Sequence, residues 1–179
     1  MDGLRHALAA VAAAETIEEL SGRPAQIKWV NDILVNGRKV CGILTEASID
    51  CESGMMQYVI IGLGVNTHVP KGDFPKELKS IAGAAFGTER IPELRCRLAA
   101  GILDRLAEYA EKPEAPAVFE AYRRRSFVPG RAILILAPGK DPVPAEALSL
   151  LEDYSLLVRF PDGSTTRLNS GEVSVRPER

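Results

Sequence analysis

Two lysines, an asparagine and a carboxylate crowd into one apolar stretch, Lys28-Trp29-Val30-Asn31-Asp32 followed by Asn36-Gly37-Arg38-Lys39-Val40-Cys41-Gly42-Ile43-Leu44. Lysine and aspartate are uncommon in half-buried strands unless paired or put to use. The chemistry this set could do is anion capture. Lys39, next to a turn, offers an ammonium, and Gly42, lacking a Cβ, lets backbone come close to a ligand. Asp32 could orient that lysine or a metal-bound phosphate, and Asn31 could read the edge of a base or amide. The plainer account is a hairpin whose tip, residues 36–39, is simply solvated. Pattern alone leaves both open.

Ile61-Gly62-Leu63-Gly64-Val65-Asn66 closes an apolar run. It has the look of half a dinucleotide fingerprint, but Thr67 stands where the third glycine belongs and no helical pattern follows, so a Rossmann reading fails. Either the glycines permit close packing, or they let backbone approach a flat ligand whose edge meets the Asn66 amide. Arg123-Arg124-Arg125 reads as a solvated helix end near the C-terminal dipole rather than a binding patch. Trp29 reads as core, and His68 has no legible partner. Cys41, Cys51 and Cys96 cannot all pair within one chain and show no C-x-x-C spacing. With only His6 and His68 beside them, no metal site is legible, and reduced thiols in a cytoplasmic protein are the expectation.

The elements that would position these residues follow from period and punctuation. Residues 4–21 predict a helix, with Leu4, Leu8, Val11 and Leu20 near one face, ended by Gly22 and Pro24. Short strands are expected over 26–30 and 33–35. Asn36-Gly37 is a hairpin signal, because both central positions of a type I′ turn need positive φ. A strand follows over 40–49. Residues 55–63 are rich in Val, Ile and Tyr and read as a strand buried on both faces. Residues 74–80 predict a short helix opened by Pro75. Residues 91–110 predict a longer one, with Leu94, Leu98, Ile102, Leu106 and Tyr109 at helical spacing, and 117–125 a fourth. Beyond Phe127 the period becomes two. Strands over 132–136, 145–151, 154–160, 165–168 and 172–175, separated by turns, suggest a small β-barrel.

The chain has 179 residues, 46% hydrophobic and 26% charged, with a net charge of −2. Those values describe a globular chain with ample core and exclude wholesale disorder. No basic surplus marks a nucleic-acid footprint. No apolar run approaches the roughly 20 residues of a membrane span. The start, with Asp2 and an alanine-rich stretch, does not have the shape of a signal peptide.

The run KWVNDILVNGRKVCGILTE (residues 28–46), followed by IIGLGVNTH (60–68), resembles the biotin protein ligase, or biotin–[acetyl-CoA-carboxylase] ligase, family. That family's pattern is Lys-Trp-Pro-Asn-Asp, a basic pair and a small residue before Gly-Ile-Leu, then Gly-x-Gly-x-Asn. The intervening helix and the arginine-rich stretch Ala121–Ser126 are similar as well. So is Asn169-Ser170-Gly171-Glu172-Val173-Ser174-Val175-Arg176, which is similar to the last strand of the family's SH3-like domain.

The resemblance implies an α+β fold of the class II aminoacyl-tRNA synthetase-like, biotin ligase type. Its sheet is mixed or antiparallel and covered by helices. Residues 1–126 would form an N-terminally truncated catalytic domain and 127–179 an SH3-like barrel. It implies an enzyme that makes biotinyl-5′-AMP from biotin and Mg-ATP, then transfers biotin to a lysine of a biotin carboxyl carrier protein. By matching position, Lys39 contacts the biotin carboxylate and the α-phosphate, and Asp32 stands near that lysine and the magnesium. Asn31, Lys28, Gly42, Gly64 and Asn66 fall in the biotin and nucleotide site, Asn66 against adenine. Lys28 and Trp29 also hold the strand. No protein-held metal is implied. A homodimer through the sheets is the oligomer such a family suggests.

Val30 departs from the family's proline. The family's upstream Gly-Arg-Gly-Arg-x-Gly-Arg loop finds no counterpart. The Gly-Arg pairs at 22–23, 37–38 and 130–131 are isolated, and the chain begins about where the helix after that loop should begin. The alternative is therefore a noncatalytic or incomplete ligase-like binding module, with a lipoate ligase as a third reading that the Gly-Ile-Leu signature disfavours. The repressor-type helix-turn-helix also finds no counterpart, so DNA binding is not expected.

Overall fold

The computed structural model describes residues 2–50, 53–113, 116–137, 139–169 and 174–177. Cys51, Pro138 and the central part of the terminal motif, residues 170–173, lie outside them. Helix α1 (Asp2–Ser21) leads into four short-looped strands, β1 (Ala25–Lys28), β2 (Asp32–Val35), β3 (Arg38–Ile49) and β4 (Met56–Val65). Helices α2 (Leu94–Glu111) and α3 (Pro116–Arg125) follow. Then come β5 (Ala132–Leu136), β6 (Val143–Leu150), β7 (Leu156–Arg159), β8 (Thr165–Leu168) and β9 (Ser174–Pro177).

The first sheet is antiparallel in the order β1-β2-β3-β4. Gly22, at φ +65°, ends α1 with its N–H on the Glu18 carbonyl at 2.9 Å, the glycine stop that the sequence signals. Asn36 and Gly37, at φ 52° and 72°, form the β2–β3 turn. The helices pack on one face of this sheet, which is where its apolar stripe points. Ile27, Ile33, Cys41 and Ile43 are buried there beneath Ala7, Ala10, Val11, Ala14 and Ile17 of α1. The alanines let α1 approach closely, and α2 meets it at a glycine. A Cβ on Gly101 would lie 2.8 Å from the Thr16 side chain.

The second sheet, order β8-β7-β6-β5-β9, is antiparallel too. The fold is thus α+β with two antiparallel sheets and three helices. Among the described residues no pairing joins β8 to β9, so the strands are seen as an open sheet rather than a closed barrel. The two sheets share one core. Phe127 N–H donates to the Ile27 carbonyl at 2.8 Å. Trp29 is 4% exposed and its Nε1–H donates to the Tyr154 carbonyl at 3.0 Å. Phe119 and Tyr122 of α3 meet Tyr154 edge to face.

Three expectations need correction. Strand β4 is not buried on both faces. It is an outer strand of its sheet, and its residues alternate, with Tyr58 and Ile60 exposed and Val59, Ile61 and Leu63 half-buried. Residues 74–80 form consecutive turns, not a helix, with Leu78 and Lys79 both donating to the Pro75 carbonyl. Arg125 is not solvated. Its side chain is 11% exposed and lies 2.7 Å from Glu18 and 3.4 Å from Glu15 of α1, while Arg123 stays exposed.

Candidate active site

The sheet's other face carries no helix, and four of the singled-out residues fall there in one cross-strand row. Lys28 of β1 pairs with Asp32 of β2, Asp32 with Gly42 of β3, and Gly42 with Gly64 of β4. Directly opposed residues in an antiparallel sheet point to the same face. The row therefore runs from a cation through a carboxylate to two bare backbone positions. Gly62, opposite Leu44, widens the floor. Nothing lies within 4 Å of the Cβ position at Gly64, so that part of the floor is open.

Lys39 enters this row through a bulge. In the register, Ile33 faces Cys41 and Leu34 faces Lys39, so Val40 has no opposite number on β2. A bulge resets the alternation of side chains. Without it, Lys39 would share the helix-covered face with Cys41 and Ile43. With it, the Lys39 stem crosses over Gly42, and a Cβ at Gly42 would sit 3.2 Å from both Cε and Nζ. The Lys39 backbone is held from the other side: its N–H donates to the Ile81 carbonyl and its carbonyl accepts from Gly83, both at 2.8 Å. The side chain thus swings from a fixed base.

Asp32 lies between two cations. Lys39 Nζ is 2.5 Å from Oδ1 and Lys28 Nζ is 3.5 Å from Oδ2. The carboxylate is 15% exposed, Lys28 23% and Lys39 42%. Beneath the row, Cys41 is buried, and burial pushes its thiol up to about 12, with Lys39 pulling it down and Asp32 pushing it up. It is a neutral thiol at physiological pH, not a nucleophile.

Asn31 knits the break between β1 and β2 onto β3. Its carbonyl accepts from Ile43 N–H, and its Nδ2 donates to the Ile43 carbonyl, both at 2.9 Å. Asn66 extends β4 by one backbone hydrogen bond to Val40, at 2.7 Å, and its side chain is exposed. Next to it, Thr67 and His68 line a cleft of about 390 Å3 with Glu93, Leu94, Arg95 and Cys96. A larger cleft, about 700 Å3 between α3 and the second sheet, is lined by Arg123 but by none of the residues of the row. The sequence reading did not find Leu44, Gly62 or the 81–83 segment as parts of this site. Leu44 and Gly62 each sit within a motif that the sequence marks, whereas Ile81 carries no local signal. Among the described residues no three His, Cys, Asp or Glu side chains form a metal cage, and no helix is long and apolar enough to cross a membrane.

Two lysines around one carboxylate, beside bare glycine backbone, suit this sheet face to anion binding. The biotin/lipoate A/B protein ligase family model matches residues 3–66, which hold the whole row. Over these residues the chain is similar to that family. Over 75 residues, 42% of this chain, the sequence is 52% identical to the bifunctional ligase/repressor BirA of Bacillus subtilis strain 168, covering 22% of that protein. It is 24% identical over 147 residues to the biotin–[acetyl-CoA-carboxylase] ligase of Mycobacterium tuberculosis, covering 82% of this chain and 52% of that one. The chain thus spans about half or less of the curated relatives' length. In fold it is similar to the biotin protein ligase of Aquifex aeolicus solved with biotin and ATP, with a TM-score of 0.75 and 22% identity, over 98% of this chain and 72% of that one.

Proposed function

We propose that this chain acts as a biotin protein ligase, with the β2–β3–β4 face as its adenylation site. The observation that carries the reading is the row Lys28–Asp32–Gly42–Gly64 with Lys39 lying across it. The relatives' names supply biotin, ATP and acetyl-CoA carboxylase, and the acceptor in this reading is a lysine of a biotin carboxyl carrier protein or domain. In this reading a biotin carboxylate oxygen attacks the α-phosphorus of ATP, and pyrophosphate leaves. Negative charge builds on the nonbridging oxygens, and the Lys39 ammonium stabilises it. The acceptor lysine's amine then attacks the acyl carbon, and AMP leaves with the same ammonium beside its phosphate.

Asp32 holds Lys39 in place between turnovers. Gly42, Gly62 and Gly64 give the ligand bare backbone to lie on, and Asn31 and Asn66 border the nucleotide end. Magnesium enters as part of the Mg-ATP substrate. Both oxygens of Asp32 already face lysines, which does not fit a protein-held ion. We further assign residues 1–126 to the catalytic unit and 127–179 to an SH3-like one, with a homodimer through the sheets as the oligomer.

Calorimetry of biotin binding, with and without Mg-ATP, tests the reading. Micromolar or tighter binding that ATP strengthens and Lys39→Ala abolishes is the expected result. Absence of binding, or full retention in Lys39→Ala, would return the chain to the noncatalytic reading.

A further inference from the structure

We propose that Lys28 is a positioning residue that keeps Asp32 charge-balanced while Lys39 leaves it for the substrate phosphate. The proposal rests on the adenylation-site reading above. Lys39 now occupies the space over Gly42, with Cε and Nζ both 3.2 Å from the Cβ position there. A ligand lying on that backbone must displace it. The ammonium that is to meet the phosphate therefore begins parked on Asp32, and capture requires its release.

Release by itself would be costly. Asp32 is 15% exposed, and removing the only partner of a largely buried carboxylate leaves an uncompensated charge. Lys28 removes that obstacle. It approaches the other carboxylate oxygen, so the two lysines do not compete for one atom. It is Asp32's direct cross-strand partner and at 23% exposed is the more enclosed of the two cations. Lys39, at 42%, is the one with room to leave. The bulge and the 81–83 clamp hold the Lys39 backbone, so the exchange needs only its side chain to turn.

The test follows the side-chain ammonium NMR signal of Lys39 in the full chain, assigned by its loss in Lys39→Arg, during titration with inorganic pyrophosphate. Lys28→Met, which keeps the apolar stem, should raise the pyrophosphate midpoint about tenfold, the scale of coupling between close charges. Lys28→Arg should restore it. In an Asp32→Asn background, where no carboxylate needs balancing, Lys28→Met should change the midpoint less than about twofold. Lys28→Gln serves if the methionine variant does not fold. An unchanged midpoint in the single variant overturns the proposal. So does an equal loss in both backgrounds, which would mean that Lys28 attracts the anion itself; the adenylation-site reading survives either result. A Lys39 signal in the parent chain that never responds to pyrophosphate removes that reading, and the proposal with it.

Discussion

Gly42→Val distinguishes an open ligand floor from a packed surface. The backbone at Gly42 is ordinary strand in register with Asp32 and Gly64, so valine meets no left-handed penalty. A Cβ there would lie 3.2 Å from Lys39 Cε and Nζ and 4.0 Å from Asp32 Oδ1. Relaxed carbon contacts are about 3.5–4.0 Å. Alanine would push Lys39 aside by a few tenths of an ångström, and the γ-carbons of valine would take the place of its ammonium.

The stability cost is small. The Lys39–Asp32 pair is half-open to solvent on the lysine side, so its loss is worth about 0.2–1 kcal/mol. Asp32 keeps Lys28. Replacing glycine by a β-branched residue in a strand returns up to about 1 kcal/mol. The two effects oppose each other, and the net change should stay within about 1 kcal/mol, or about 2–4 °C in Tm for a chain this size. Binding should fall far more. A displaced cation and an obstructed floor together should weaken Mg-ATP and biotin binding by about 100-fold or more. Urea unfolding and calorimetry on one preparation give both numbers. A Tm drop beyond about 10 °C would show that the face is packed. Parental affinity in the valine variant would place the ligand elsewhere.

Trp29→Phe removes the Nε1–H donor that satisfies the buried Tyr154 carbonyl and joins the two sheets; urea titration should show a loss of about 1–3 kcal/mol, and a loss near zero would refute that role. Burial alone would raise the Glu18 carboxyl, but hydrogen bonds from Arg125 and Ala25 N–H and the charges of Arg125 and Arg124 outweigh it and hold it below its ordinary 4.5. Its contribution is therefore present above pH 4.5 and lost as pH falls through the depressed value. Arg125→Leu should remove that acid-side slope and cost about 3 kcal/mol at neutral pH, since Glu15 and Glu18 keep partial access to water. Cys41, buried and with its thiol raised to about 12, should resist a disulfide reagent that labels exposed Cys96 in the native chain. Peptide mapping after labelling checks this, and rapid native labelling of Cys41 would contradict its burial.

Local signals carried much of the fold. The Asn36-Gly37 turn, the Gly22 stop, the α2 stripe and the limits of β5 and β8 were each set by one or two residues or by a clean period. Features set by register were not legible. That Lys28, Asp32, Gly42 and Gly64 form one row depends on pairings across four strands, and the Lys39 side chain joins them only because Val40 is bulged. Nothing in the run Arg38-Lys39-Val40-Cys41 announces a bulge. Strand β4 was misread because a run of valine and isoleucine has the same appearance in a doubly covered strand as in an outer strand with one bare face. Arg125 was misread because the carboxylates it meets lie more than a hundred positions away, on α1.

The charges on the row also account for its having two lysines against one aspartate. A Lys39–Asp32 pair alone would be neutral and would offer little attraction to a carboxylate or a polyphosphate. Lys28 makes the local sum +1 on a chain whose net charge is −2. Anions are thus drawn to this face against the repulsion of the molecule as a whole, and the attraction is least screened where the carboxylate and its lysines are partly buried. The positive end of the floor adjoins the bare glycines, and beyond them stand the exposed apolar residues Leu44 and Ile60. A ligand with an anionic end and an apolar body is therefore oriented by the face itself: charge toward Lys39, body along β3 and β4. Under the proposed function, the same polarity would place the reacting carboxylate beside Lys39, the more exposed of the two ammonium groups.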